Sequence, residues 1–259
     1  MQTTSATYRQ ITKNLDRSLT QTSASKPVAL ETANYLKKVG GIKSIDAFIA
    51  NTRVFTYAMN AFGLGDMAYA KGFMRKVLTE GIDDSKSLAN RLADDRFVNF
   101  ARAFDFKNKG ADTTSSVDAQ QGVVDRYVRQ RLEESAGASD DGVRLALYFQ
   151  RNAPTVKSAY GLLADTALWQ VVKTVYGFPD AMANASVENQ AAAVNARLNV
   201  ADLQDPAKLN KLISRFTAVW DVRENATPDP RLALFGSAST PSVDLDLVMT
   251  LKSLKYGGA

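Results

Sequence analysis

The sequence predicts an all-α protein with two pseudo-repeated helical bundles, preceded by an N-terminal amphipathic helix. Apolar residues recur every three or four positions along nearly the whole chain, as they do on one face of a helix. In addition, residues 47–66 and 161–180 align without a gap, about 114 positions apart. Such a recurrence predicts two copies of one helical unit. Identical residues occupy four of the aligned positions: Ala50/Ala164, Thr52/Thr166, Gly63/Gly177 and Asp66/Asp180.

The first element is an amphipathic helix over residues 5–20. Its narrow apolar stripe consists of Tyr8, Ile11, Leu15 and Leu19, which are three or four positions apart. The stretch QTSASKP then predicts a linker that ends at Pro27, so residues 1–27 form a separate segment. We interpret the four stripe residues as a possible partner-binding site, because narrow stripes lie in grooves. The groove belongs either to a partner or to the protein's own body.

The first repeat is predicted over residues 28–140. Its central helix carries a broad apolar face, which indicates burial around most of the helix. Gly63 is expected to end this helix, and Asp66 to cap the next one. The second copy has Gly177 and Asp180 in the same places, and Phe55 aligns with Trp169. We therefore expect Phe55 and Trp169 to be equivalent buried positions.

The second repeat is predicted over residues 141–259, including a C-terminal helix. The segment 223–241 holds three of the seven prolines and predicts irregular structure. The stretch SVDLDLVMTLKSL after it predicts the last helix. Within the first repeat, the polar stretch KNKGADTTSSVD predicts a loop.

The glycines of GLGDMA, residues 63–68, satisfy a shortened dinucleotide-binding pattern. That chemistry requires the pattern to follow a β-strand directly, so that the backbone can approach a pyrophosphate. Here it follows a helical pattern, and the second copy has Pro179 in place of the middle glycine. We interpret the motif as a helix corner and expect no cofactor.

Composition removes the commonest catalytic groups, because the chain contains neither cysteine nor histidine. Thiolate nucleophiles, Cys/His zinc sites and a histidine base are therefore excluded. We predict a non-enzymatic protein with no catalytic, cofactor-binding or metal-binding residues. An enzyme that uses Asp or Glu carboxylates, with or without a divalent metal, is the alternative. It would need convergence among three acidic pairs: Asp83/Asp84, Asp94/Asp95 and Asp140/Asp141.

Charge and hydropathy bear on partners and location. The net charge of +5 is spread among acidic residues, and the densest cluster, Arg126, Arg129 and Arg131, predicts a solvated helix face. We therefore expect no nucleic-acid partner. No apolar run is long enough to cross a bilayer, and the N-terminus lacks the apolar core of a secretory signal. These features predict no membrane association and a cytoplasmic location.

Two long strings, SIDAFIANTRVFTYAMNAFGLGDMAYAKGFMRKVLTEGI and GVRLALYFQRNAPTVKSAYGLLADTALWQVV, resemble a family of alphaproteobacterial proteins of unknown function. The resemblance covers essentially the whole chain. It implies an all-helical, internally repeated protein whose gene is often found among flagellar genes, and it assigns no catalytic residues. The functional hypothesis is therefore an interaction protein for flagellar assembly or motility. Export through the flagellar secretion channel is the alternative to a cytoplasmic location.

Overall fold

The structure, a computed structural model, describes residues 2–92 and 94–224. The predicted irregular segment and the predicted C-terminal helix lie outside these residues, apart from the start of the former. Helices and turns account for the regular structure of the described ranges, which contain no strand. The all-α prediction is therefore confirmed for them.

Fifteen α-helices follow one another in the described part of the chain. Five short 3-10 helices connect some of them, at Gly65–Met67, Gly110–Ser115, Ala153–Thr155, Asp180–Asn184 and Val200–Gln204. The α-helices are α1 Thr4–Lys13, α2 Leu15–Ala24, α3 Lys26–Val39, α4 Ile45–Ala50, α5 Thr52–Ala61, α6 Lys71–Glu80, α7 Leu88–Arg91, α8 Asp95–Ala103, α9 Phe106–Lys109, α10 Gln121–Gly137, α11 Asp141–Asn152, α12 Ala159–Ala164, α13 Thr166–Tyr176, α14 Val187–Asn195 and α15 Pro206–Glu224.

Local capping explains where many of these helices begin. The Ser44 hydroxyl accepts a hydrogen bond from the amide of Ala47 at the start of α4. The carboxylates of Asp94, Asp140 and Asp165 accept amide hydrogen bonds at the starts of α8, α11 and α13. A side-chain oxygen in this position satisfies amides that have no partner inside the helix. These starts are readable from sequence because the cap lies within three residues of its donors.

The N-terminal segment differs from the predicted single helix and linker. The chain bends at Asn14, between α1 and α2, and the predicted linker is mostly helical, because α2 runs to Ala24. Hydroxyl groups in this stretch donate to carbonyls three or four residues earlier, as Thr22 does to Ser18. Pro27 lies in the first turn of α3, where a missing amide proton costs nothing. The boundary at residue 27 therefore falls inside a helix.

The stretch predicted as a loop in the first repeat is also more ordered than expected. It contains all but the first residue of α9 and the 3-10 helix Gly110–Ser115. Thr113 and Thr114 are fully buried, and the Thr114 hydroxyl donates to the carbonyl of Ile42 at 2.6 Å. Polar side chains that find backbone acceptors can be buried at little cost, so the polar composition of this stretch was a poor guide.

Two apolar cores occupy the described chain. The first runs from Val28 to Val128 and is rich in phenylalanine, including the fully buried Phe48, Phe55 and Phe100. The second runs from Val143 to Phe216 and takes in Tyr8 from the N-terminal segment. The dividing point lies between α10 and α11, near the predicted boundary at residues 140 and 141.

The aligned stretches have matching helix boundaries. Helices α4 and α5 begin at residues 45 and 52, and α12 and α13 begin at 159 and 166, each pair separated by the predicted offset. Gly63 and Gly177 have positive φ angles of 69° and 66° at the ends of α5 and α13. These correspondences support the repeat interpretation at the level of this helix pair, and the equivalence of the complete bundles stays a prediction.

Two details of the repeat were predicted wrongly. Asp66 and Asp180 do not cap α-helices, since each lies within a short 3-10 helix without a side-chain cap. Trp169 is only partly buried, whereas Phe55 is fully buried. The inward face of α13 is formed instead by Leu168, Val171, Val172 and Val175, while the Trp169 ring stacks on Phe178.

The chain divides into two units, Met1–Asp221 and Val222–Ala259. Of the second unit, only residues 222–224 are described. Both apolar cores therefore lie inside one compact unit, within which α10 packs against α11. None of the described helices combines the length and the apolar character needed to cross a membrane.

Candidate functional site

The predicted partner-binding stripe lies against the protein's own body. Tyr8 is 7% exposed and belongs to the second core, against which Ile11 also packs. Leu19 packs against the first core, and Leu15 is half-buried. Helix α1 contacts α11, and α2 contacts α10. A partner role for these four residues stays a prediction, and it would require α1 and α2 to leave the body.

Polar contacts fix the N-terminus of α1 to distant parts of the chain. The amides of Thr4 and Ser5 donate to the two carboxylate oxygens of Asp221, at 2.7 and 3.2 Å. The Thr4 hydroxyl donates to Asp140 at 2.7 Å. Asp221 of α15 thus supplies a negative charge at the positive end of α1, which stabilises the docked helix. Nothing local in the sequence signals this contact.

The three acidic pairs remain at separate positions. Asp83 accepts from Asn108, Asp84 from the amide of Lys86, and Asp94 from Arg96. Asp140 caps α11, and Asp141 pairs with Arg144. Among residues 2–92 and 94–224, no group of three or more acidic side chains is placed to hold a metal ion. Caps, turns and ion pairs thus engage five of the six carboxylates, and burial raises the pKa of the sixth, Asp95.

A polar cluster, which we call the junction network, links the two halves of the body. Arg96 donates to the carbonyl of Gly63 at 2.8 Å and pairs with Asp94. Its guanidinium also lies 3.9 Å from the carboxylate of Asp165, which caps α13 and accepts from the Tyr148 hydroxyl at 2.6 Å. Burial and the adjacent negative charge of Asp165 raise the pKa of Tyr148, so its hydroxyl stays protonated and acts as a donor.

Glu133 forms the second half of the junction network. Its carboxylate is 1% exposed and accepts from Arg129 of α10 at 3.1 Å. Arg151 of α11 reaches the same carboxylate with two nitrogens, at 2.8 and 2.7 Å. Both oxygens of this buried carboxylate accept hydrogen bonds from arginines. A buried charge needs such partners, because an unpaired one would destabilise the fold. Sequence reasoning missed Glu133, because helical spacing alone gives no sign that α11 supplies a second arginine.

A cleft of about 210 Å³ opens beside the junction network. Arg96, Glu133, Tyr148 and Asp165 line it, together with Arg144. Each of these side chains already has a partner within the protein. These contacts connect α8, α10, α11 and α13 with the corner that follows α5.

The arginines of α10 do not form one cationic face. The Arg126 guanidinium lies 5.0 Å from the centre of the Phe62 ring, and burial lowers its pKa. Arg129 is taken up by Glu133, and Arg131 pairs with Glu134. Phosphate binding draws on unpaired cations grouped on a surface. The contacts of these arginines are therefore largely internal, and the predicted solvated face is wrong for Arg129, whose side chain is 12% exposed. That the protein has no nucleic-acid partner stays a prediction.

The glycine motif is a corner between helices. Gly63 follows α5 with a positive φ, a conformation that glycine adopts without strain. A Cβ atom at Gly65 would collide with the side chain of Asn60. Both glycines are thus explained by the turn itself, and the motif follows a helix rather than the strand that a dinucleotide site requires.

Comparison with known proteins gives the same fold and no activity. A crystal structure of an Agrobacterium tumefaciens protein, from a structural genomics programme, matches with a TM-score of 0.78 and 47% sequence identity. The match covers 84% of this chain and 93% of that one. No curated protein shows significant similarity. A family model described as "Protein of unknown function (DUF1217)" matches residues 61–209. The chain therefore belongs to the DUF1217 family.

Proposed function

We propose that this protein is a non-enzymatic interaction protein that serves flagellar assembly or motility. The observation that carries the proposal is the outward face of α3. Leu30 is 57% exposed and Leu36 is 41% exposed, and the exposed Ala29 and Ala33 lie between and beside them on the same face. The opposite face of α3, with Val28, Tyr35 and Val39, is buried in the first core.

An exposed apolar helix face is a common form of protein-binding surface. Leu30, Ala33 and Leu36, each three positions from the next on α3, would present an apolar patch to a partner helix, and the exposed Lys26 and Lys37 lie at its two ends. This patch differs from the predicted stripe, which lies against the protein's own cores. The occupant that we propose is an apolar helical face of another protein.

The flagellar part of the proposal rests on the resemblance to a family whose genes are often found among flagellar genes. We propose a cytoplasmic location, with export through the flagellar channel as the alternative. Immunoblots of culture supernatants from cells with intact and with defective flagellar export distinguish the two. Protein that appears outside the cell only when export is intact would contradict the cytoplasmic proposal.

The alternative function, a carboxylate-dependent enzyme, would require two of the acidic pairs to converge in one accessible cleft. In the described ranges the pairs lie at separate helix starts or turns, and the carboxylates of Asp83, Asp84, Asp94, Asp140 and Asp141 are engaged. That placement supports the interaction proposal over the enzymatic one.

The proposal is tested by complementing an in-frame deletion of the gene. We expect the deletion to reduce swimming in soft agar and the wild-type gene to restore it. A Leu30→Asp/Leu36→Asp variant should fail to restore swimming, because charges on the α3 patch are incompatible with an apolar contact. A Val117→Asp/Val187→Asp variant is the matched control, since it charges two exposed apolar residues outside α3.

Both variants should retain the helical content and melting temperature of the wild type, because the changed side chains are solvent-exposed. A deletion strain that swims normally would contradict the proposed role in flagellar assembly or motility. Full complementation by the Leu30→Asp/Leu36→Asp variant would show that the outward face of α3 is not the partner-binding surface.

A further inference from the structure

A second surface, which we call the α15 groove, lies where the end of α13 meets α15. Its volume is about 390 Å³. The floor is apolar and includes Val175, Leu198 and Leu203, which are buried. Tyr176 and Leu212 are half-buried at its edges, so apolar surface remains accessible within the groove. The groove therefore offers a place for apolar side chains from outside.

One rim of the groove is positively charged. Lys208, Lys211 and Arg215 of α15 line it, and all three are exposed. Lys208 is paired with Asp202 at 2.7 Å. The Arg215 guanidinium lies 5.6 Å from the centre of the Tyr176 ring. In the part of the chain that the structure describes, Lys208 has this carboxylate partner, whereas no carboxylate lies within ion-pair distance of Lys211 or Arg215.

The spacing of these charges indicates what the groove can recognise. Lys211 and Arg215 are four residues apart on α15, which corresponds to about 6 Å along the helix axis. Two carboxylates four residues apart on a neighbouring helix have the same separation. An apolar residue between them would face the floor near Leu212. Charged rims around apolar contacts determine the orientation and selectivity of such interfaces.

We propose that the α15 groove binds an acidic amphipathic helix of a partner protein. This inference rests on the proposed function, which it deepens by assigning a second contact surface and the chemistry of its occupant. The partner places apolar side chains over Tyr176 and Leu212 and carboxylates against Lys211 and Arg215. The groove is open along the exposed side of α15, which favours a protein segment over a small enclosed ligand.

The test uses the full chain and a fluorescent peptide of about 16 residues, which is about four helical turns. The peptide has leucines along one face and glutamates four residues apart beside them. A second peptide has lysine at every glutamate position. We expect saturable anisotropy changes with the acidic peptide, weakened by added salt, and none with the basic one.

The decisive variant is Lys211→Glu/Arg215→Glu, which reverses both of these rim charges. We expect at least a roughly tenfold loss of affinity for the acidic peptide, since two ion pairs become repulsive contacts. The matched control is Lys86→Glu/Lys109→Glu, which changes the net charge equally at exposed positions outside both α3 and α15. It should bind like the wild type. Circular dichroism should show that both variants are folded.

Several results would overturn the proposal. They are no binding of the acidic peptide by the wild type, equal weakening in the control variant, or equal binding of the basic peptide. Self-association that is lost in Lys211→Glu/Arg215→Glu would assign the groove to a second copy of the chain. Single-stranded nucleic acid that binds in its place would assign it to phosphate recognition. None of these results affects the swimming assay, so the groove and the proposed function fail independently.

Discussion

At the scale of single residues, Glu133 is a buried charge that depends on two arginine partners. Its carboxylate is almost completely buried between Arg129 and Arg151. Removing one member of such a cluster leaves the remaining charges buried without compensation. Substituting Glu133 should therefore lower the free energy of unfolding by more than a single hydrogen bond contributes.

We expect Glu133→Gln to lower the free energy of unfolding by about 3–5 kcal/mol. The measurement is urea denaturation followed by circular dichroism. Glu134→Gln is the control, because Glu134 is 39% exposed and pairs with the exposed Arg131, so its loss should cost less than about 1 kcal/mol. Similar costs for the two variants would show that α11 does not enclose Glu133.

A second residue-scale prediction concerns alkaline pH. Burial raises the pKa of Tyr8 to about 12, and nearby Arg129 partly opposes the shift. In the unfolded chain this hydroxyl titrates near 10, so the folded state holds its proton more tightly. The contribution of Tyr8 to stability is therefore complete below pH about 10 and is lost as pH rises through about 12.

The Tyr8→Phe variant should show a smaller decline in unfolding free energy between pH about 10 and about 12 than the wild type. Urea denaturation at several pH values measures the difference between the two proteins. The exposed Tyr160 provides the control, and Tyr160→Phe should leave the decline unchanged. An equal decline in Tyr8→Phe would show that α1 is undocked at these pH values.

At the scale of elements, α1 belongs to the folded body. Its first amides are bound by Asp221, Thr4 is bound by Asp140, and Tyr8 enters the second core. Deleting residues 1–22 should lower the free energy of unfolding by several kcal/mol, since it exposes the second core and removes hydrogen-bond donors to Asp221 and Asp140. Urea denaturation measures the loss.

Asp221→Ala is the companion to that deletion. It should cost about 1–2 kcal/mol, in the range of lost helix caps. If the truncated protein keeps its stability while cells lose swimming, α1 and α2 are a recognition element and the partner-binding prediction for Tyr8, Ile11, Leu15 and Leu19 stands.

The aligned residues Phe55 of α5 and Trp169 of α13 are buried to different extents. Phe55→Ala should cost about 3–5 kcal/mol, because the ring is fully enclosed. Trp169→Ala should cost roughly 1–2 kcal/mol, since only part of its area is removed from water and Phe178 can close over the gap. Thermal and urea denaturation measure both. Equal costs would support equivalent positions in two repeated bundles.

At the scale of the whole molecule, the two cores share one compact unit. Helices α10 and α11 lie side by side between them, and Arg96 connects Gly63 of one half to Asp165 of the other. Breaking either core exposes apolar surface and buried charges of its neighbour. We therefore expect the halves to unfold together.

Cooperative unfolding is testable because the two tryptophans, Trp169 and Trp220, both pack against the second core. Tryptophan fluorescence thus reports that core, whereas far-ultraviolet circular dichroism reports all helices. The two urea transitions should coincide. A Phe73→Trp variant adds a reporter at the first core. Separate transitions would favour two independently stable bundles with the predicted boundary at residues 140 and 141.

The sequence by itself determined the helical class, the starts of several helices that have a local cap, and the recurrence at about 114 positions. Each depends on residues a few positions apart: Ser44 caps α4, Asp140 caps α11, and apolar spacing shows which face is buried. The absence of histidine and cysteine likewise needs no structure to exclude their chemistry.

Only the tertiary structure decided what covers each face. Thr4 meets Asp221 across 217 positions and Asp140 across 136, and no local pattern encodes such a contact. Tyr8 and Leu30 are both apolar residues on helices, yet only packing buries the first and exposes the second. Glu133 and Lys211 are both charged residues on helices. Glu133 has an arginine partner on the neighbouring helix α11, and the sequence around Glu133 does not show this partner.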